Sequence, residues 1–278
     1  MKDVFDTLSI RCSRLTTGMY STSFSLGVRC LDPKLRDPIH ALYGFVRFAD
    51  EIVDTFHDFN RKDLLNRFRD DTYRAIDERI SLNPILNSFQ FVVNQYGIER
   101  SLIEQFLKSM EMDLYLTDHD PVSIHEYVLG SAEVVGLMCL KVFSAGDEAL
   151  YDRLTPQAMK LGAAFQKINF LRDLNADYTD LGRNYFPGVD VRRFDEHSKR
   201  MVEEQIAADL REGCSGIRQL PRGVRLGVYV AYVYFSTLFR KIRNTPSELV
   251  LRERIRIPNP QKAGLLAYSY LKHQLNLI

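Results

Sequence analysis

The sequence predicts an all-α protein. Almost every segment of its 278 residues carries apolar positions at helical period, alternating strand patterns are scarce, and the prolines fall mainly where helices would start or end. Asp32-Pro33 and Asp37-Pro38 each read as an N-terminal cap followed by a first-turn proline, and residues 39–56 then carry apolar side chains on most faces, as a buried helix does. Residues 61–79 are charged and amphipathic. Asn83-Pro84 opens a further helix with Gly97 near its end, and residues 99–116 form another before a polar break at 117–121. Residues 123–143 are apolar and interrupted by Gly130 and Gly136, small residues that let helices approach closely or leave room for a ligand. Thr155-Pro156 reads as the start of a helix reaching about Tyr178. A glycine- and proline-containing segment, 181–189, is followed by helices over 196–212 and 221–243 and a last one from about Gln261. No repeat, low-complexity tract or composition break marks a linker, so residues 1–278 are expected to form one helical domain.

Bulk properties exclude several classes. Hydrophobic residues make up 45% and charged residues 26%, ordinary globular values, and a net charge of +1 gives no field for nucleic acid. Cys12, Cys30, Cys139 and Cys214 form no Cys-x-x-Cys pair, which argues against structural zinc or a disulfide scaffold and for reduced thiols. The N-terminus has no secretory signal pattern, and the most apolar run, 227–239, falls short of the ~20 residues of a spanning helix, so a cytoplasmic location is expected. The six histidines form no i,i+4 metal pair and are expected at the surface or in caps. Ser21 and Ser23 have no His–Asp arrangement beside them.

The chemistry lies in spaced carboxylates. Asp50 and Asp54 are four apart on a predicted helix and share a face, with Asp58 on the same stripe if the helix persists. Asp173 and Asp177 repeat the spacing, and Asn169 one turn earlier extends them to a three-oxygen ladder. With 36 acidic residues in 278, chance alone supplies roughly five such pairs, so either pair by itself is better explained as a solvated face. Their neighbours are apolar, however: Phe45, Val46, Ala49 and Ile52 around the first, Ile168, Phe170 and Leu171 around the second. Carboxylates on buried helices need compensation. One account pairs them with Arg47, Arg172 and Lys167 as bundle salt bridges. The other places magnesium between carboxylates and diphosphate oxygens, with the arginines gripping the remaining phosphate charge, since magnesium favours one or two carboxylates plus substrate phosphates.

Two signatures then join. Residues 20–25, Tyr-Ser-Thr-Ser-Phe-Ser, with residues 43–54, Tyr-Gly-Phe-Val-Arg-Phe-Ala-Asp-Glu-Ile-Val-Asp, resemble the front half of the squalene/phytoene synthase family. Residues 166–177, Gln-Lys-Ile-Asn-Phe-Leu-Arg-Asp-Leu-Asn-Ala-Asp, with Gly-Arg-Asn-Tyr-Phe-Pro at 182–187, resemble its second signature. The likeness runs from about residue 11 to 265. It implies an isoprenoid synthase helical bundle around a central apolar cavity and a prenyltransferase that joins two prenyl diphosphates head to head. It implies that Asp50, Asp54, Asn169, Asp173 and Asp177 hold magnesium, with manganese as a substitute, and that Arg47 and Tyr43 share in catalysis. By the same resemblance Ser21, Ser23, Phe24, Gln166, Arg172, Arg183 and Tyr185 contact substrate. The stretch from Tyr127 departs from the family in carrying Leu129 where a second tyrosine is frequent and Glu133 where a small residue is frequent. A further family tyrosine aligns with either Tyr234 or Phe235.

The implied reaction ionises an allylic diphosphate, lets a second substrate's double bond attack, and loses a proton to give a cyclopropylcarbinyl diphosphate. A second ionisation, rearrangement and proton loss give a conjugated triene, whereas hydride from NADPH gives squalene. Phe24, Tyr43, Phe45, Phe165 and Phe170 are candidate aromatic walls for the cations. The Tyr20 segment and Arg-Ile-Arg-Ile at 254–257 look more like phytoene synthases, with geranylgeranyl diphosphate as substrate in carotenoid biosynthesis. Squalene or dehydrosqualene synthesis from farnesyl diphosphate is the close alternative. A terpene cyclase is disfavoured because the serine and glutamate of its usual triad are absent, and a non-catalytic assembly factor of the same fold because all four aspartates are kept. Apolar substrates and products would draw the protein to a membrane surface peripherally.

Overall fold

A computed structural model describes residues 1–278 and contains no strands, only one isolated bridge between Asp118 and Asn184. Helices α1 (Lys2–Tyr20), α2 (Thr22–Arg29), α3 (Pro33–Asp54), α4 (Arg61–Glu78), α5 (Pro84–Tyr96) and α6 (Arg100–Met112) form the first half. Helices α7 (Pro121–Val128), α8 (Val134–Ser144), α9 (Glu148–Leu181), α10 (Glu196–Ile217), α11 (Arg222–Arg243), α12 (Ser247–Val250) and α13 (Asn259–Gln274) form the second.

The proline readings hold at one of two sites in α3. Asp32 caps the helix, its side chain accepting from the Lys34 N–H, and Pro33 follows at the first position. Asp37 caps nothing: its carboxylate takes Arg14 of α1 at 2.6 Å, and Pro38 lies inside the helix. The helix ends at Asp54, so Asp58 lies beyond it and off the stripe of Asp50 and Asp54. Helix α9 also starts earlier than Thr155-Pro156 suggests. The Asp147 side chain accepts from the Leu150 N–H, and a 34-residue helix runs through Pro156. A proline inside a helix forfeits one backbone hydrogen bond, and packing against α8 and α10 outweighs that cost here.

The apolar stretch at 123–143 belongs to a helix that passes through a π-helical segment, Leu129–Glu133, between α7 and α8. Residues 121–144 are long and apolar enough to cross a membrane by composition, more so than 227–239, but 61% of the apolar 18-residue window within them is buried in the fold. Gly130 explains the packing: a Cβ there would stand 2.5 Å from the Gln105 carbonyl oxygen of α6.

Two large apolar cores result, with a small third cluster of Ile217, Tyr229 and Val233. One gathers α3, α5, α6 and α8 around the stacked rings of Phe45 and Phe89, 3.8 Å apart. The other gathers α7, α9, α10 and α11 with Tyr185 and Phe186. Between them α2 and α3 face the π segment, α8, α9, α10 and α11 across a cavity of about 1040 Å³.

Candidate active site

Both aspartate pairs stand near the C-terminal ends of their helices, Asp50 and Asp54 at the end of α3, Asp173 and Asp177 in the last turns of α9. Those ends already carry the negative pole of the helix dipole, so four carboxylates there call for cations. Arginines answer. Arg47 meets Asp50 at 3.9 Å and binds Glu51 more closely. Arg183 donates to Asp54 at 2.6 Å. Asp173 receives Arg172, whose Nε lies 3.0 Å from Oδ1, and Arg254, at 2.6 Å from the same oxygen. Lys167 goes elsewhere, to Asp209 of α10 at 2.7 Å, and is no partner of the second ladder.

The compensation is incomplete. The Asp50 side chain is 30% exposed. Burial, and then the like charge of Asp54, push its carboxyl up to about 7 against the pull of Arg47. Burial and then Asp173 push Asp177 up to about 7 in the same way. Asn169 lies one turn below Asp173 with its buried Oδ1 lacking any hydrogen-bond partner. A hard divalent cation suits this set: carboxylate and amide oxygens, two carboxyls poised between protonated and charged, and one orphaned acceptor. No three of the acidic, histidine or cysteine side chains are gathered closely enough to hold a metal by themselves, so water or phosphate oxygens would supply the other positions around a magnesium ion.

Below the ladders opens the cavity, with 25 of 45 lining residues hydrophobic and no aspartate or glutamate among them. Its charged lining is wholly basic: Arg47, Arg172, Arg254, Arg256 and Lys262. Ser21, Ser23, Phe24, Tyr43, Gln166 and Asn169 all line it. Ser21 also caps α2 by accepting from the Phe24 N–H, which turns Phe24 onto Tyr43, ring centroids 4.8 Å apart. Phe165 lines the wall against Phe235, and Tyr234 lines it as well, so both candidates for the C-terminal aromatic face the cavity.

Other expected residues lie outside the cavity. Phe45 and Phe170 are core residues, the first stacked on Phe89 and the second on Tyr185, because each points to the side of its helix away from the cavity. Arg183 and Tyr185 are buried behind the first ladder. Leu129 packs on the apolar core. Burial raises the Glu133 carboxyl, and Lys160, Lys167 and His125 are the cations around it. His119, expected at the surface or in a cap, is buried against Tyr127 and Tyr185. The cysteines are unpaired and half-buried, as expected.

Residue spacing does not reveal two further contributors. Asp113, the C-cap of α6, is a buried carboxylate pushed up to about 7 by burial against the pull of Arg183. A lone aspartate at a helix end carries no distinguishing sequence signal. Arg254 is visible in sequence only as part of a basic run, and its pairing with Asp173 spans 81 residues.

The chain is 31% identical over 180 residues to a phytoene synthase of Pseudescherichia vulneris, covering 60% of this chain and 56% of that protein. It is 31% identical over 172 residues to a presqualene diphosphate synthase of Sinorhizobium fredii, covering 60% and 58%. These matches thus span little more than half the length of each relative. A crystal structure of a dehydrosqualene synthase superposes with a TM-score of 0.82 at 19% identity, over 96% of this chain and 98% of the other. The squalene/phytoene synthase family model matches residues 18–261, and the chain belongs to that family.

Proposed function

We propose that the protein joins two prenyl diphosphates head to head, taking geranylgeranyl diphosphate to phytoene. The observation that carries this is the juxtaposition of two aspartate ladders with a basic-rimmed apolar cavity of about 1040 Å³. Such a site accepts an anionic head and a long hydrocarbon tail. Asp50, Asp54, Asn169, Asp173 and Asp177 would hold magnesium, which supplies positive charge against the oxygens of a departing diphosphate. Arg47, Arg172, Arg254 and Lys262 present the rest of that charge from the cavity wall.

With the head held, the allylic C–O bond breaks and diphosphate leaves with the electron pair. The double bond of the second chain attacks the cation, and a proton is lost as the cyclopropane closes. The second ionisation follows at the same rim. The paired faces of Phe24 with Tyr43 and of Phe165 with Phe235 line the path and exclude water while stabilising positive charge.

Phytoene is favoured by the Tyr20 segment and the Arg-Ile-Arg-Ile run at 254–257, while a phytoene synthase and a presqualene diphosphate synthase are equally similar relatives. The farnesyl reading, leading to squalene or dehydrosqualene, draws on the structural likeness to a dehydrosqualene synthase. NADPH enters only if squalene is the product. One assay addresses both: the protein with magnesium and either geranylgeranyl or farnesyl diphosphate, products identified by mass. A forty-carbon triene from the first is expected, and turnover of neither refutes the enzyme. Asp173→Asn should lose at least about 100-fold in rate with a normal melting curve, the size expected for a group acting on a developing anion.

A further inference from the structure

Arg183 joins three helix ends. It stands directly after α9, where Gly182 takes φ +67°, and its backbone N–H donates to the Asp177 carbonyl at 2.8 Å. Its side chain is only 5% exposed and reaches the ends of the two other helices. Nη1 donates to Asp54 of α3 at 2.6 Å, and Nη2 to the Val53 carbonyl at 3.4 Å and the Asp113 carbonyl of α6 at 3.0 Å. Three negative helix poles therefore converge on one arginine, and both aspartate ladders are tied to it, the first by its guanidinium and the second by its backbone.

The guanidinium is itself held from behind. The Asp113 carboxylate, 3% exposed, lies 3.6 Å from Nη1. Its Oδ2 accepts from Tyr127 OH at 2.8 Å and its Oδ1 from Tyr185 OH at 3.2 Å. Tyr185 is stacked on Phe170 of α9 at 4.2 Å, and Asn184 donates its backbone N–H to the Thr117 carbonyl at 2.7 Å. The groups bonding Asp113 thus come from two places, Tyr127 from α7 and Arg183 with Tyr185 from the segment after α9.

We propose that Asp113 is a positioning residue for the diphosphate site: by locking Arg183 it fixes the separation of the two aspartate ladders and keeps Arg183 from neutralising Asp54 outright. The inference rests on the magnesium–diphosphate reading above. Replacing Asp113 by a neutral isostere leaves Arg183 with Asp54 as its only carboxylate. The guanidinium then moves toward Asp54 and competes with a metal for it. A residue that orients a ligand-bearing group in this way is worth about 10–100-fold in metal affinity.

The test is calorimetric titration with magnesium and inorganic diphosphate, on the wild type, Asp113→Asn and Tyr127→Phe, each checked for a cooperative melt. Asp113→Asn should bind about 10–100-fold more weakly and Tyr127→Phe, which removes one of the bonds to Asp113, by an intermediate factor. In steady state the loss should sit in the apparent KM for magnesium, with kcat recovering at high magnesium. A purely structural role would lower the melting temperature and leave the affinity alone. Unchanged affinity in a folded Asp113→Asn overturns the proposal, and if that variant does not fold, unchanged affinity in Tyr127→Phe does so. Failure of the wild type to bind magnesium diphosphate overturns the metal reading itself, and this inference with it.

Discussion

Asp50 and Asp177 have carboxyls pushed up to about 7, in each case by burial first and a neighbouring aspartate second. An aspartate whose folded pKa lies above its unfolded value favours the folded state most below about pH 4, and that contribution is lost as pH rises through about 7. Between those limits stability falls, because the unfolded chain gives up a proton that the folded carboxyl keeps, and a divalent cation with diphosphate offsets the cost. In a metal chelator, Asp50→Asn should therefore gain melting temperature relative to wild type as pH goes from 5 to 8. A difference independent of pH contradicts the assignment. The same carboxyls predict that magnesium diphosphate binds more weakly below about pH 7, where protons compete for the ligands.

At the scale of the element, close approach outweighs helix propensity in one place and not in another. A Cβ on Gly130 would meet the Gln105 carbonyl at 2.5 Å and Ser109 Cβ at 2.6 Å, forcing α6 and the π segment apart. Overpacking of this kind costs about 1–3 kcal/mol, more than the ~1 kcal/mol that alanine gains over glycine in a helix. Gly264, inside α13, has nothing within 4 Å of its Cβ position. Gly130→Ala should accordingly destabilise, and Gly264→Ala should stabilise by about 0.5–1 kcal/mol, both read by denaturant unfolding.

At the scale of the whole molecule, the mouth of the cavity is assembled from distant parts of the chain. Residues 254–258 cross it, with Ile255 and Ile257 buried in the second core and the Arg256 carbonyl accepting from Lys241 Nζ at 2.8 Å. Lys262 reaches Thr22 of α2 at 3.0 Å across the opening. Arg254 is 51% exposed where it meets Asp173, so the pair is worth about 0.2–1 kcal/mol. Arg254→Gln should let magnesium alone bind about two- to fivefold more tightly by calorimetry, because one cation fewer competes for Asp173. An unchanged affinity would show that Arg254 does not compete for that carboxylate.

Sequence alone determined the helical class, the ladders Asp50–Asp54 and Asn169–Asp173–Asp177, and the family, because helical period and i,i+4 spacing are local and the signatures are contiguous. It also placed Phe24, Tyr43 and Phe165 at the cavity. Tertiary structure decided the rest. Local spacing does not say which face of a helix meets the cavity, which is why Phe45 and Phe170 went to the cores. Cap chemistry at Asp37 and Thr155-Pro156 was overridden by an ion pair with α1 in one case and an earlier cap at Asp147 in the other. Lys167 lies six residues before Asp173 yet turns to Asp209. Two partners of the aspartates come from far along the chain, Arg183 at 129 residues from Asp54 and Arg254 at 81 from Asp173. Ion pairs over such separations exist only once packing has brought the helix ends together, so no reading of local pattern reaches them.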